Sequence, residues 1–98
     1  MTNYVLAFRG TPDRAVPQDA DEAWGAWFGQ LGPALADRGN RVGKVTRVDA
    51  ADSAPGVEAL AGYMVISADS MESAATLAKG CPGLAYGVSV EVAEVVDM

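Results

Sequence analysis

The chain has 98 residues, half of them hydrophobic, and carries thirteen acidic and seven basic side chains but no histidine. This length predicts a single domain, residues 1–98, and the net charge of −6 repels phosphate backbones, so nucleic acid is not an expected partner. With one cysteine, no signal-peptide pattern and no apolar run near the ~18 residues of a membrane span, we expect a cytoplasmic protein outside the membrane.

A strand followed by a long helix is predicted for the first part of the chain. Asn3–Arg9 is aromatic and aliphatic on both of its alternating faces, which is typical of a buried strand. Helical spacing then extends over Asp19–Arg38, where Pro33 predicts a kink and Gly39 and Asn40 are expected to end the helix. The apolar stripe of this helix consists of Ala20, Trp24, Trp27, Phe28, Leu31 and Leu35.

The two tryptophans of this stripe are expected to differ in environment. Positions three residues apart lie about 60° apart around a helix, so we expect Trp24 and Phe28 at the centre of the stripe and Trp27 at its edge, near a possible cleft. Burial of a large aromatic side chain contributes roughly 4 to 6 kcal/mol before opposing terms. That gain favours the core for both side chains, and a ligand-lining role for Trp27 stays open as the alternative.

The middle of the chain is first basic and then polar. Arg41–Val48 predicts a second strand, and a loop is expected over residues 49–59. Four of the seven cations fall within ten positions around this strand, where they either discourage edge-to-edge pairing or recruit an acidic ligand or partner. We favour the protective role. The four cations are Arg38, Arg41, Lys44 and Arg47.

A further strand, helix and strand are predicted after the loop. Leu60–Ala68 is apolar on both faces, whereas Val88–Val96 alternates valine with mostly polar residues. Between them, the sequence DSMESAATLAKG predicts a short helix in which Asp69 is the N-cap and Glu72 its partner at the third helical position. Gly80 is expected to end that helix in the left-handed conformation.

The predicted order is strand, helix, strand, strand, helix, strand. Two crossovers in this order favour an α+β fold of the ferredoxin-like type, with an antiparallel sheet whose first and third strands are central. Those are the two strands that are apolar on both faces, and helices can cover only one face of a sheet. We therefore expect a second copy to cover the other face, sheet against sheet, which gives a homodimeric α+β barrel.

Three stretches carry a resemblance to a known family: YVLAFRG, WGAWFGQL and, at residues 60–92, LAGYMVISADSMESAATLAKGCPGLAYGVSVEV. The last is similar to the C-terminal half of the YCII-related family, also called the DGPF-domain family, and the first two are similar to its first strand and helix. The resemblance covers roughly nine-tenths of the chain and is most specific in the last helix and strand. It implies a ferredoxin-like α+β barrel that dimerises.

The departures from that family limit what the resemblance implies about chemistry. The Asp-Gly-Pro-Phe motif is missing, and in the corresponding loop, DSAPGVEAL, only Pro55 and Glu58 echo it. Some members carry a His and Asp pair that has been proposed as catalytic, and this chain has no histidine to contribute. The last strand also lacks the Arg-Pro continuation common in relatives. These differences imply a diverged member, and they leave open whether it is an enzyme.

We expect a small-molecule ligand in a cleft between the helices and the sheet. Phe8, Arg9, Trp27 and Tyr63 are the residues expected to line it, and Arg9 is the candidate anchor for an anion. A salt bridge or a solvated strand end is the favoured alternative role of Arg9. The other possible functions are a cofactor-independent enzyme that uses the same pocket and a structural or regulatory dimer without a ligand.

Other kinds of chemistry have little support in the sequence. Cys81 follows a predicted helix C-terminus, where the helix dipole disfavours a thiolate, so we expect an unreactive thiol. Without histidine or a second cysteine no metal site is recognisable, and no glycine-rich phosphate loop precedes a helix. We therefore expect neither a metal nor a bound cofactor, and no catalytic residue can be named.

Overall fold

The computed structural model describes residues 1–11, 13–48, 50, 53–55 and 59–97. Six strands and two helices occur in this part of the chain, with short 3₁₀ turns at Gly32–Ala34 and Pro82–Tyr86. In chain order they are β1 (Thr2–Gly10), α1 (Ala20–Leu31), β2 (Leu35–Arg41), β3 (Thr46–Val48), β4 (Ser53–Pro55), β5 (Ala59–Ala68), α2 (Met71–Ala78) and β6 (Val88–Glu94). Neither helix is long and apolar enough to cross a membrane.

The main sheet has four antiparallel strands in the order β2-β5-β1-β6. Val5 of β1 lies opposite Val65 of β5 on one side and Ala93 of β6 on the other. The first strand and the long strand after residue 58 are therefore central, which confirms the prediction made from their two-sided apolar pattern. An α+β protein with this sheet and two helices is consistent with the ferredoxin-like class.

The core lies between the two helices and one face of this sheet. The even positions of the two central strands are buried from Tyr4 to Gly10 and from Gly62 to Ala68, and the largest fully buried side chains are Leu6, Met64 and Ile66. Buried residues of both helices join the same apolar cluster, which identifies the covered face. The helical contribution consists of Trp27, Leu31, Ala74 and Ala78. Residues at odd positions of β1 and β5 alternate to the opposite face, which neither of the two described helices covers.

Helix α1 is shorter than the sequence pattern predicts. It ends at Leu31, and Gly32 follows with φ of 52° and donates its N–H to the carbonyl of Phe28. Pro33 cannot donate to a helical carbonyl, so it lies in the 3₁₀ turn and helps to end the helix instead of kinking it. Leu35, expected on the helical stripe, instead begins β2.

The edge strand therefore lies earlier in the chain than the strand predicted over Arg41–Val48. β2 pairs with β5 as far as Arg41 opposite Gly62, and the Val42 N–H still donates to the Ala61 carbonyl at 2.9 Å. The following residues run beyond this ladder. Thr46–Val48, the end of the predicted strand, pairs instead with Ser53–Pro55 in a separate hairpin, and Ser53–Pro55 lies within the stretch expected to be a loop. Glu58, which echoes the family motif, lies outside the described residues.

Gly39 has a different role from the helix stop predicted for it. It lies in an irregular part of β2 with φ of 65°, between Asp37 and Asn40, where the register with β5 shifts. A Cβ atom at this position would collide with the Tyr63 carbonyl of the neighbouring strand. Glycine is therefore required both by the left-handed backbone and by the close approach of the two strands.

The ends of α2 also differ from the prediction. The N-cap is Ser70, whose Oγ accepts a hydrogen bond from the Ser73 N–H at 3.0 Å, and not Asp69. Lys79 is the C-cap, and Gly80 does not have the left-handed conformation. Gly80 is instead explained by packing, because a Cβ there would lie 2.8 Å from Nε1 of Trp27.

Candidate functional site

An open groove of about 720 Å³ lies between the first half of α1 and the covered face of the sheet. It is at the end of the sheet where β1 stops and β6 starts, since Gly10 lies opposite both Ala59 and Val88. We call it the α1 groove. Its lining residues are Phe8, Arg14, Val16, Ala20, Asp21, Trp24, Gly25, Phe28, Arg38, Gly39, Asn40, Arg41, Ala61, Gly62, Tyr63, Met64, Tyr86 and Val88.

Aromatic side chains form the apolar part of the α1 groove. Trp24 meets Phe8 edge to face, with 5.0 Å between ring centroids, and Phe28 at 6.1 Å. The Trp24 indole N–H donates a hydrogen bond of 2.7 Å to the hydroxyl oxygen of Tyr86. This bond uses an acceptor site of the tyrosine and leaves its O–H able to donate. Trp24 is thus held in position from two sides.

Trp27 is core, and the environments predicted for the two tryptophans are reversed. Trp27 is only 3% exposed and does not line the groove, whereas Trp24 and Phe28 are partly buried and do. The Trp27 indole N–H donates to the Leu77 carbonyl at 3.3 Å, and Gly80 leaves room for the ring. The C-terminal end of α2 therefore covers the position that the helical stripe alone assigned to the edge.

The four predicted lining residues are placed in three different environments. Phe8 lines the groove from the floor of the sheet. Tyr63 borders it as well, but alternation along β5 puts its side chain on the opposite face from Met64. There its hydroxyl accepts from Nδ2 of Asn40 at 3.2 Å, and the residue is 37% exposed. Trp27 lies in the core.

Arg9, the fourth, lies on the uncovered face and not in the groove. It alternates with Phe8, and its guanidinium is 3.7 Å from the Glu91 carboxylate of β6. The two side chains are 40% and 65% exposed, so this ion pair contributes little to stability. The salt bridge favoured for Arg9 in the sequence analysis is present, and the anion-anchor role has no support from its position.

Two of the clustered cations connect the edge strand to the helix across the groove. The Arg38 guanidinium lies 5.2 Å from the centre of the Phe28 ring, and Arg41 is 3.3 Å from the Asp21 carboxylate. Each contact is exposed and worth only ~1 kcal/mol or less. Lys44 and Arg47 follow the edge strand and do not line the groove.

Arg14 is a lining residue that the sequence did not single out. It is half-buried, and its Nη1 donates to the Thr11 carbonyl at 2.8 Å. Its Nε is buried and has no hydrogen-bond partner within the part of the chain that the structure describes. A buried donor without a partner costs about 1 to 3 kcal/mol, which makes this guanidinium an unusual feature of a natural fold. The one residue in the sequence that could have indicated the position of Arg14 is Gly10, because the Arg14 side chain packs against it.

Cys81 does not line the groove and belongs to the buried core cluster. Its thiol is free and buried. Burial raises the pKa of the Cys81 thiol above its ordinary value, and hydrogen bonds with the backbone of Gly83 and Leu84 oppose that rise only in part. This agrees with the unreactive thiol expected from the sequence, although desolvation is the cause. No group of three metal-ligand side chains is found among the described residues.

No family model, curated protein or solved structure matches the chain. The resemblance to the YCII-related family, carried by residues 4–10, 24–31 and 60–92, stays a prediction. The chemistry of the α1 groove and of the uncovered sheet face is therefore the guide to function.

Proposed function

We propose that the protein binds a small organic molecule in the α1 groove and works as a homodimer joined through the uncovered face of its sheet. Membership of the YCII-related family, with its dimeric α+β barrel, is part of this proposal. The observation that carries the binding function is the groove itself, where four aromatic rings border a volume open to solvent. These rings belong to Phe8, Trp24, Phe28 and Tyr86.

The size and lining of the groove support binding. Ligand sites in proteins have volumes of roughly 300 to 1,000 Å³ and combine apolar walls with a few polar groups, and the groove measures about 720 Å³. Its polar groups include the Tyr86 hydroxyl and the Arg14 guanidinium. A domain of this length has a small core, and aromatic rings that stay partly exposed add less to its stability than buried rings would. Their position at the groove is better explained by contact with a ligand.

The two tryptophans provide a direct test. A library of small metabolites is screened by intrinsic fluorescence and by thermal shift, first on the wild type and then on Trp24→Phe and Trp27→Phe. A ligand of the α1 groove should change the emission of the wild type and of Trp27→Phe, which keeps the reporter that lines the groove. The change should be largely lost in Trp24→Phe. If no compound shifts the emission or the melting temperature, the binding proposal is wrong.

The uncovered sheet face has the composition of an interface between two copies. Val5, Ala7 and Val65 lie half-buried at its centre. Polar pairs surround them: the Ser67 hydroxyl donates to Asn3 at 2.8 Å at one end, and Arg9 lies near Glu91 at the other. An apolar centre with a polar rim is the usual anatomy of a protein interface.

The extent of this face also suits a dimer. Strands of ~3.3 Å per residue, spaced ~4.8 Å apart, give four strands of seven to ten residues a footprint on the order of 500 Å². Two such faces bury about 1,000 Å² together, which reaches the lower limit of specific interfaces. A second copy with the same apolar centre is the occupant that matches the face, since a two-fold axis pairs like with like.

Light scattering after size-exclusion chromatography tests the dimer. We expect the wild type at twice the chain mass of 10.1 kDa at micromolar concentration. Val65→Asp should give a monomer, because it places a charge at the centre of the interface. Thr76→Asp, on the exposed side of α2, is the matched control and should remain dimeric. A wild type that elutes as a monomer would contradict the proposal.

A further inference from the structure

We propose that the ligand of the α1 groove carries a single negative charge, a carboxylate or a group like it, attached to a flat apolar body, and that Arg14 holds the charge. This inference rests on the proposed binding function and specifies the ligand class.

The net charge of the groove has the opposite sign to the net charge of the whole protein. The chain as a whole has a net charge of −6 and seven cations. Three of those cations line the groove, Arg14, Arg38 and Arg41, and among the described lining residues Asp21 is the one carboxylate. The groove is therefore locally positive on an acidic protein. Such a field concentrates small anions at one place and repels them elsewhere on the surface.

The three arginines are not equally available to a ligand. Arg38 stacks on Phe28, and Arg41 has Asp21 as a partner. Arg14, in contrast, is not within salt-bridge distance of any carboxylate among the described residues. Its Nη1 donates to a backbone carbonyl and its Nε has no partner in that part of the chain. Nε is buried and is not itself accessible from the groove. A guanidinium has five N–H groups, so the second N–H on Nη1 and the two on Nη2 give Arg14 donors for an anion, whereas the other two arginines mainly add to the field.

Arg14 is also held in place before any ligand arrives. Its side chain packs on Gly10, where a Cβ atom would come within 3.1 Å of the Arg14 Cδ and 3.2 Å of the Gly87 carbonyl. The hydrogen bond from Nη1 to the Thr11 carbonyl, at 2.8 Å, fixes the guanidinium further. A side chain ordered in advance loses less entropy on binding, so the space at Gly10 favours a specific anion contact.

The apolar walls define the rest of the ligand. Trp24, Phe8 and Phe28 present rings to the groove, and flat aromatic or unsaturated groups pack well on such surfaces. The free O–H of Tyr86 can donate to a further oxygen. Because the whole protein is acidic, ligands with several negative charges, such as polyphosphates, are disfavoured against a monoanion. An aromatic or similarly flat monocarboxylate combines both requirements.

The test uses two probes of the same shape that differ in charge, 2-naphthoate and 2-naphthamide. Their affinities are measured by titration calorimetry on the full-length protein at low ionic strength. We expect the carboxylate to bind about tenfold more tightly than the amide, and the difference to shrink as salt is added. Arg14→Gln should weaken binding of the carboxylate to the level of the amide, and it should leave the affinity for the amide unchanged.

Two further variants complete the design. Arg47→Gln removes the same charge from the separate hairpin, outside the groove, and should retain the tenfold preference. Arg14→Lys keeps the charge without the planar fork and should fall between the wild type and Arg14→Gln. If Arg14→Gln does not fold, Arg14→Lys takes its place as the variant that tests the role of Arg14.

The outcomes separate this inference from the proposed function. Equal affinity for both probes, unchanged by either substitution of Arg14, overturns the anion inference but keeps the binding function. A loss of preference in Arg47→Gln as large as in Arg14→Gln overturns the role of Arg14. Failure of both probes to bind, when the metabolite screen has found a neutral ligand, overturns the anion inference alone. Failure of the probes and of the screen overturns both proposals.

Discussion

Helix α1 meets the rest of the protein in two different ways along its length. Around Trp27 the contact is closed, because the C-terminal end of α2 packs over the ring and Gly80 leaves it room. Around Trp24, one turn earlier, the contact is open. The 3₁₀ turn that carries Tyr86 reaches across it, and the other contacts across the groove are the exposed ones of Arg38 and Arg41. Both rings belong to the same helical stripe and pack against the same Phe8.

The difference shows that the partner of a helical face, and not the face alone, decides what is core. Helix α2 has only eight residues, so it covers one of the two tryptophans and leaves the other at a groove. The closed region stabilises the fold, and the open region is available for a ligand. Substitutions that act on one region and spare the other can test this separation.

Replacement of the two tryptophans should give the largest contrast. We expect Trp27→Ala to lower the free energy of unfolding by about 3 to 5 kcal/mol, because it leaves a cavity that the surrounding core cannot fill. Trp24→Ala should cost less, about 1 to 3 kcal/mol, because the ring is only partly buried. Urea unfolding followed by circular dichroism measures both. Trp27→Phe, with a smaller loss, is the fallback if Trp27→Ala does not fold.

For ligand affinity, the substitution at Trp24 should have the larger effect and the one at Trp27 the smaller, which is the reverse of their effects on stability. Any compound found by screening should lose affinity in Trp24→Ala and keep it in Trp27→Phe. Equal destabilisation by the two alanine substitutions, together with equal loss of binding, would show that the closed and open regions are not distinct.

Two glycine substitutions should give a smaller contrast with opposite signs. Gly80→Ala places a methyl group 2.8 Å from Nε1 and 3.0 Å from Cδ1 of the buried Trp27 ring. We expect this overpacking to cost about 1 to 3 kcal/mol. Gly29→Ala puts the same methyl group on the exposed side of α1, where nothing lies within 4 Å. It should stabilise the protein by about 0.5 to 1 kcal/mol.

Thermal and urea unfolding of both variants measures the contrast. If Gly80→Ala proved as stable as the wild type, the end of α2 would not be closed over Trp27 as the structure describes. A destabilised Gly29→Ala would likewise contradict the exposed position of that residue in the helix.

The elements that the sequence predicted well are those whose pattern is set by burial on both sides. β1 and β5 alternate between two apolar faces, and this was enough to place them at the centre of the sheet. The order of the main elements followed from the same pattern. Helix α2 was also predicted, because apolar spacing and a polar start coincide there, although the capping residue is Ser70 and not Asp69.

The errors arose where tertiary contacts override local pattern. Leu35 fits a helical stripe, but β2 forms from that residue because the edge of β5 offers hydrogen bonds that a helix after Pro33 cannot supply. Trp27 looked peripheral because the covering helix comes fifty positions later in the chain. The position of Arg14 depends on packing against Gly10, and no periodic signal in a loop reports such a contact.

The smallest expected effect concerns the pH dependence of the closed region, through Cys81. Burial raises the pKa of this thiol above its ordinary value in the folded protein, whereas in the unfolded chain the thiol ionises near that ordinary value. Below that value both states keep the proton and stability is unaffected. As the pH rises above about 9, the unfolded state loses the proton first, so stability falls until the folded thiol also ionises.

Comparison of the wild type with Cys81→Ala isolates this contribution, because every other ionisable group is the same in both proteins. The difference between their free energies of unfolding should be constant from pH 7 to 8.5 and should then shift against the wild type, by at most about 1.4 kcal/mol per pH unit. Urea unfolding at pH values from 7 to 10.5 provides the measurement. A difference that stays constant over the whole range would mean that water reaches Cys81 and that the region around Trp27 is less closed than its burial indicates.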